Sequence, residues 1–347
     1  MPISFNPGPS ALHPSVQRAL LALAGSDLLS RSHRAPEFRD MLIALRSRIL
    51  ARLGAPADFQ VLFAPSATAA MEILLRNLGP EASLHLVHGA FARRFAQTSR
   101  ALGLRPEIFE GEERRALPWQ KAQPPASCRL IALTHNETAT GSAWPSQELA
   151  SLRARWPDPL LVVDATSSLG GPRLPLAQAD LWFASVQKCL GLPAGLALIL
   201  AGPRALARIP RTQGNIAPWA DLRAQAQGLA EGRPIETPNM LALYLLDARM
   251  DAYDQDEIDR ESASKNALLQ EAQPEIGPYY VQDPAWRSRT VHNFLVPDPK
   301  TLHQSALDQG FLLGKGYGPL ADQAIRIANF PAHRPEELEA LLESLGA

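Results

Sequence analysis

One lysine stands where lysine is unfavourable. Residues 179–200 read ADLWFASVQKCLGLPAGLALIL, and after Asp180 the only charged residue in the run is Lys188. An ammonium at the end of an apolar stretch is costly to desolvate unless it is paired, neutralised or covalently used. Lysine is also scarce: of the 34 basic residues only those at 121, 188, 265, 300 and 315 are Lys, and the rest are Arg. A stem that snorkels its amine to the surface accounts for such a residue. So does a Schiff-base nucleophile, which needs partners elsewhere in the chain.

Those partners have candidates. Asp164 follows the apolar run LLVV, as a turn former or as an anion beside a heteroaromatic nitrogen. In APSATAAMEIL, Ser66 and Thr68 occupy the first turn of a predicted helix, an ordinary N-cap or a seat for phosphate on free amides. Asn136, Thr138 and Gln187 fall at further predicted strand ends. Pyridoxal phosphate requires a lysine, an anion at its ring nitrogen, donors for its phosphate and a flat apolar surface. Ser66/Thr68, then Asp164, then Lys188 supply the first three in sequence. Other cofactor motifs fail. There is no G-x-G-x-x-G and no G-x-S-x-G, and GFLLGKG is one residue short of a P-loop and has Gly316 where Ser or Thr belongs. No His/acidic cluster has metal-ligand spacing.

The elements that must position these residues alternate. Helices are predicted over 14–25 and 36–54, then a strand, turn and helix over 59–79. Strands follow in SLHLVHG, CRLIALT, PLLVV, ADLWFASVQ and GLALILAG. The pattern predicts an α/β fold with a largely parallel sheet covered on both faces and ligands at the strand ends. From about residue 245 the chain turns more charged, with a helical stretch LYLLDARMDAYDQDEIDRESASKNALLQEA, strands RTVHNFLV and AIRIANF, and a closing helix RPEELEALLESL. A large domain over 16–245 and a smaller α+β domain over 246–347, joined by residues 1–15, are expected.

Bulk properties narrow the classes. At 347 residues and 46% hydrophobic composition two domains are expected. A formal net charge of −1 without a basic, aromatic-laced stripe argues against nucleic acid. No basic-then-apolar leader or membrane-length apolar run stands out, and two cysteines suit a reducing cytoplasm.

On its motifs the chain resembles the class V, fold-type I pyridoxal phosphate aminotransferases, and within them the phosphoserine aminotransferase branch. FNPGPSAL resembles the family's opening, SHRAPEF its S-H-R loop, NETATG its N-E-T-x-x-G segment and VQKCLGLPAGLALIL its cofactor-lysine motif. The resemblance runs nearly end to end and implies a seven-stranded, mainly parallel sheet. It implies that Lys188 forms the Schiff base with pyridoxal phosphate, that Asp164 pairs with the pyridine nitrogen, and that Thr138 bonds near the phenolic oxygen. Ser66, Ala67, Thr68 and Gln187 would hold the phosphate. Phe91 falls where a stacking Trp is usual and keeps the flat contact without the indole donor. Arg326 would clamp the substrate carboxylate and Arg34, with His33, a second anion. Thr237 would reach the cofactor of a neighbouring subunit, implying a homodimer, although Glu236 replaces the usual Asn. The implied reaction exchanges an amino group between a small amino acid and a 2-oxo acid, phosphoserine and 2-oxoglutarate in serine biosynthesis.

One segment departs from the branch. Its K-G-H-R becomes Lys315-Gly316-Tyr317-Gly318, two residues farther from the arginine. A phosphate site rebuilt from Lys315, Tyr317, His33 and Arg34 is one outcome. A class V aminotransferase for alanine or serine with glyoxylate or pyruvate is another. A desulfurase-like lyase needs an exposed thiol, for which Cys128 and Cys189 are poor candidates. A module that binds the cofactor without catalysis is the remaining alternative.

Overall fold

Four segments, LIALT, LLVVD, LWFAS and ALILA, are buried at every position. Strands apolar on both faces require cover on both faces, and that requirement sets the architecture. The computed structural model describes residues 2–79, 81–210 and 216–346. Its strands in chain order are β1 (Ile3–Phe5), β2 (Gln60–Ala64), β3 (Ala82–Val87), β4 (Arg105–Glu110), β5 (Leu130–Thr134), β6 (Asn136–Glu137), β7 (Ser142–Ala143), β8 (Leu160–Asp164), β9 (Leu181–Ser185), β10 (Ala197–Ala201), β11 (Val291–Leu295), β12 (Phe311–Lys315) and β13 (Ala324–Ala328).

Seven of them form one sheet in the order β2-β10-β9-β8-β5-β3-β4. All neighbours are parallel except β10, which is antiparallel to β2 and β9. Helices α1 (Pro14–Ala24), α2 (Pro36–Leu53), α3 (Ala67–Leu78) and α4 (Ala90–Ala101) belong to this half. α3 packs on β9 and β10 and α4 on β3 and β5. β2, β3, β5, β8 and β9 all deliver their carboxyl ends to the same edge, where a ligand is expected.

A second sheet, β1-β12-β13-β11, is mainly antiparallel, with β1 parallel to β12 through Ile3–Phe311 and its successors. Its core holds Phe5, Phe294, Ile325, Ile327, Leu338 and Leu341. The helix Gln255–Glu271 spans the two cores, with Ile258 in the first and Leu269 in the second.

Three details differ from the sequence-based expectation. The helical stretch after 245 is two helices, Met240–Asp251 and Gln255–Glu271, because Asp254 leaves the helix and accepts from the amides of Asp256 and Glu257. RPEIFE and FLLGK are strands. ALILA runs antiparallel because the connection from β9 is a short loop without a crossover helix.

Candidate active site

The site is built from loops that leave the strand ends. After β2, Ser66 caps α3, accepting from the Ala69 amide at 3.1 Å, while Ser185 Oγ at the end of β9 accepts from the Ala67 amide at 2.7 Å. No described residue accepts from the Thr68 amide. A helix start with an unclaimed amide between two hydroxyls is suited to phosphate. At the end of β8, Asp164 lies in register with Thr134 and Phe183 and is 2% exposed. Its Oδ1 accepts from the Thr166 amide at 2.9 Å. Burial raises its pKa, opposed by the Thr166 hydrogen bonds and by the charges of Lys188 and Arg94.

Lys188 follows β9 by three residues. Its carbonyl accepts from Ser10 Oγ at 3.0 Å and from the Gly191 amide at 2.9 Å, so the opening segment pins the loop. Its Nζ donates to Thr138 Oγ1 and to Ser167 Oγ, each at 2.8 Å, and the two hydroxyls bond each other. The side chain is buried, and burial lowers its pKa to about 8, with Asp164 and Glu137 pulling the other way. An amine so placed is largely neutral at mildly alkaline pH.

Phe91 stands in the first turn of α4, its ring centroid 5.2 Å from Lys188 Nζ. That turn is held by Glu137. Glu137 Oε2 accepts from the amides of Phe91 and Ala92 at 2.9 and 3.0 Å, and Oε1 from Ala139 at 3.2 Å. Complete burial pushes Glu137 up to about 7 against these three amides. Gly89 is required here, since a Cβ would lie 2.2 Å from Glu137 Cγ.

From the second sheet, Arg326 on β13 is 9% exposed. Its Nε donates to the Lys315 carbonyl at 2.7 Å and its Nη1 to the Thr138 carbonyl at 3.0 Å. Burial lowers its pKa to about 10. Its guanidinium lies 5.7 Å from the Tyr317 ring, which is 5.2 Å from that of Phe91.

A cavity of about 300 Å³ results, lined by Ser66, Ala67, Thr68, Phe91, Thr138, Asp164, Gln187, Lys188, Tyr317 and Arg326 among others. The remaining expected residues lie elsewhere. Lys315 is exposed and contributes only its carbonyl; the strand register turns its side chain away from the cavity. His33 and Arg34 line a separate cavity of about 290 Å³ with Arg39 and Gly232–Pro234. Thr237 is exposed beside a third, more apolar cavity edged by Glu236 and Pro238. Sequence reasoning missed Arg94 and Ser167. Arg94 stands three positions after Phe91 in α4, and the sequence holds no signal that separates it from the adjacent Arg93. Cys189 is buried and its thiol is pushed to about 12, too high for a nucleophile.

The lining fits a phosphorylated pyridoxal ring on its own chemistry. Asp164 is a buried carboxylate with no cation within 4 Å among the described residues, and Thr134 Oγ1 and Asn136 Nδ2 are buried without partners at the cavity wall. A ring with a protonated nitrogen and polar substituents would answer these groups.

The chain is similar to known proteins over nearly its whole length. The family described as aminotransferase class V matches residues 5–307. A phosphoserine aminotransferase of Rhodococcus jostii is 29% identical over 98% of this chain and 93% of its own length. That of Corynebacterium glutamicum is 28% identical over 97% and 92%. The crystal structure of a phosphoserine aminotransferase from Cytophaga hutchinsonii superposes with a TM-score of 0.94 at 28% identity, covering 99% of this chain and 98% of that one. An alanine–glyoxylate aminotransferase from Nostoc, at 23% identity and TM-score 0.85, shares the fold. The chain belongs to the class V aminotransferases, pyridoxal phosphate enzymes of fold type I.

Proposed function

We propose that this enzyme transfers the amino group of O-phospho-L-serine to 2-oxoglutarate. The observation that carries the reaction is the buried Lys188 amine, held by two hydroxyls in one cavity with the buried Asp164 carboxylate and the Arg326 guanidinium. End-to-end relatives named for phosphoserine support the substrate.

When bound, pyridoxal phosphate supplies the electron sink that lets an amino group be exchanged for a carbonyl oxygen. Lys188 would hold it through Nζ, Asp164 at the ring nitrogen, Phe91 against the ring face and Thr138 at the phenolic oxygen. Ser66, Ala67, Thr68 and Gln187 would take the phosphate. Arg326, its fork fixed by two carbonyls, anchors the α-carboxylate and so aims the substrate's Cα–H at Lys188. Lys188 Nζ, set free as an unprotonated amine once the substrate's amino group takes its place, would take that proton and return it one bond-shift away. Thr138 and Ser167 orient the amine throughout.

A homodimer, with Thr237 reaching the partner's cofactor, belongs to the same proposal, as do a cofactor domain over 16–245 and a small domain over 246–347 plus 1–15. Thr237 is exposed in the single chain, which leaves it free for that role. The test is a half-reaction. Cofactor-loaded protein is mixed with phosphoserine, glutamate, serine or alanine, and the visible absorbance is followed. Phosphoserine and glutamate are expected to react at least about tenfold faster than the others. The reverse order would overturn the substrate and leave an aminotransferase for small uncharged amino acids. No reaction with any amino acid would overturn the activity.

A further inference from the structure

We infer that Arg94, backed by Tyr317, is the residue that binds the second anionic group of the substrate. The inference rests on the proposed function for the identity of that anion, and on the cavity for everything else.

The lining holds three cations, Lys188, Arg326 and Arg94. Lys188 is reserved for the cofactor and the proton, and Arg326 has two of its donors fixed on backbone carbonyls, oriented for one carboxylate. Arg94 has no such employment. Its Nη2 donates to Tyr317 Oη at 3.1 Å, and its guanidinium lies 5.0 Å from the Phe91 ring. No described residue accepts from its Nε or Nη1, and no described carboxylate lies within 4 Å of it. Its neighbour Arg93 shows the contrast, pairing with Glu110 and with Glu113 at 2.9 Å on the outer side of the same turn. A half-buried guanidinium, propped on an aromatic face and left with free donors inside a substrate cavity, is an anion receptor awaiting its anion.

Tyr317 completes the receptor. Its oxygen accepts from Arg94, so its proton is free to donate, and no described residue accepts it. The same phenol ring lies against Arg326. Two guanidiniums therefore meet on one tyrosine, each with unused donors, as a substrate with a carboxylate at one end and a second anion at the other demands. Both substrates of the proposed reaction, phosphoserine and the glutamate/2-oxoglutarate pair, have that form.

The experiment compares half-reactions of cofactor-loaded wild type, R94Q, R94K, Y317F and R93Q with phosphoserine, glutamate, serine and alanine, together with each variant's cofactor affinity. The readout is the ratio of apparent affinities for two-anion over one-anion donors. R94Q should lower that ratio about 30- to 100-fold, the size of a lost charge-assisted fork. R94K keeps the charge without the fork and should lower it about five- to tenfold, as should Y317F; R93Q should leave it in place. R94K decides the matter if R94Q does not fold. If wild type prefers phosphoserine and glutamate and R94Q and R94K keep its ratio, this inference alone falls. A weakened cofactor affinity with an unchanged ratio would also overturn it, assigning Arg94 to the cofactor seat. If wild type prefers glutamate to alanine but takes phosphoserine no better than serine, and R94Q erases the preference for glutamate, the inference stands and the phosphoserine proposal falls. A wild type that favours serine or alanine overturns both.

Discussion

At Lys188, solvation and proximity compete. Burial favours the neutral amine, while Asp164 and Glu137 favour the ammonium, and burial wins by enough to bring the pKa to about 8 against an ordinary value of 10.5. In cofactor-free protein, acylation of Lys188 by a small reagent, read by mass spectrometry across pH, should therefore show a midpoint near 8; a midpoint above 10 would mean the amine is solvated. Asp164 has the opposite problem. Its raised pKa means that the ionised form is disfavoured in the fold until a cation faces it. Asp164→Asn should raise the thermal midpoint of the cofactor-free protein at pH 7 yet slow the half-reaction by about 10²- to 10³-fold. An asparagine variant near wild-type rate would remove Asp164 from the chemistry. Lys188 was legible because a lone cation in an apolar run contradicts its surroundings, and Asp164 because it ends such a run. Arg94 was not, since ARRFAQ offers two adjacent arginines and nothing in the order of residues says that Arg93 faces Glu110 while Arg94 faces the cavity.

At the scale of elements, α4 is the part most exposed to a small error. It has no side-chain cap of its own, and its first amides are satisfied by Glu137, reached only because Gly89 lets the two backbones close. Gly89→Ala should cost about 1–3 kcal/mol, measured as a lowered denaturant midpoint, and should weaken cofactor binding by displacing Phe91. Unchanged stability would mean that Glu137 gives way easily. This dependence was invisible in the sequence, where Glu137 and Gly89 are 48 residues apart and meet only because β3 and β5 are neighbours. The central strands were legible for the reason they are stable: they are apolar throughout. β4 was not, because it forms the sheet's edge, where Pro106 and the charged Arg105, Glu107 and Glu110 are tolerated on a half-solvated strand. β12 was missed because it is short and lacks a clean alternation, with Leu312 exposed, Gly314 buried without a side chain and Lys315 exposed at its end.

Across the whole molecule, the buried histidines set the response to acid. His85, His88, His135, His292 and His333 are all buried, and burial lowers them to about 4, 3, 4, 3 and 4 from 6.5. Neither ring nitrogen of His85 or His88 has a hydrogen-bond partner among the described residues, so burial, helped by Arg100 near His85 and His135 near His88, holds them neutral. A group whose folded pKa is depressed contributes its full stability above the unfolded pKa and loses it as pH falls. Five such groups therefore destabilise the fold below pH 6.5. Glu137, held near 7, and Asp164, also raised, act in the other direction by keeping protons that the unfolded chain releases. Near pH 5.5 the histidines take up more protons on unfolding than Glu137 and Asp164 release, so stability falls as the pH falls. Urea unfolding should show stability falling steeply between pH 6.5 and 5. His85→Leu removes one proton from the count and replaces an unpartnered imidazole with an apolar side chain. It should reduce the slope by about 1.4 kcal/mol per pH unit while changing stability little at pH 8. A slope that is the same in wild type and variant would show that the acid response arises elsewhere than in these imidazoles.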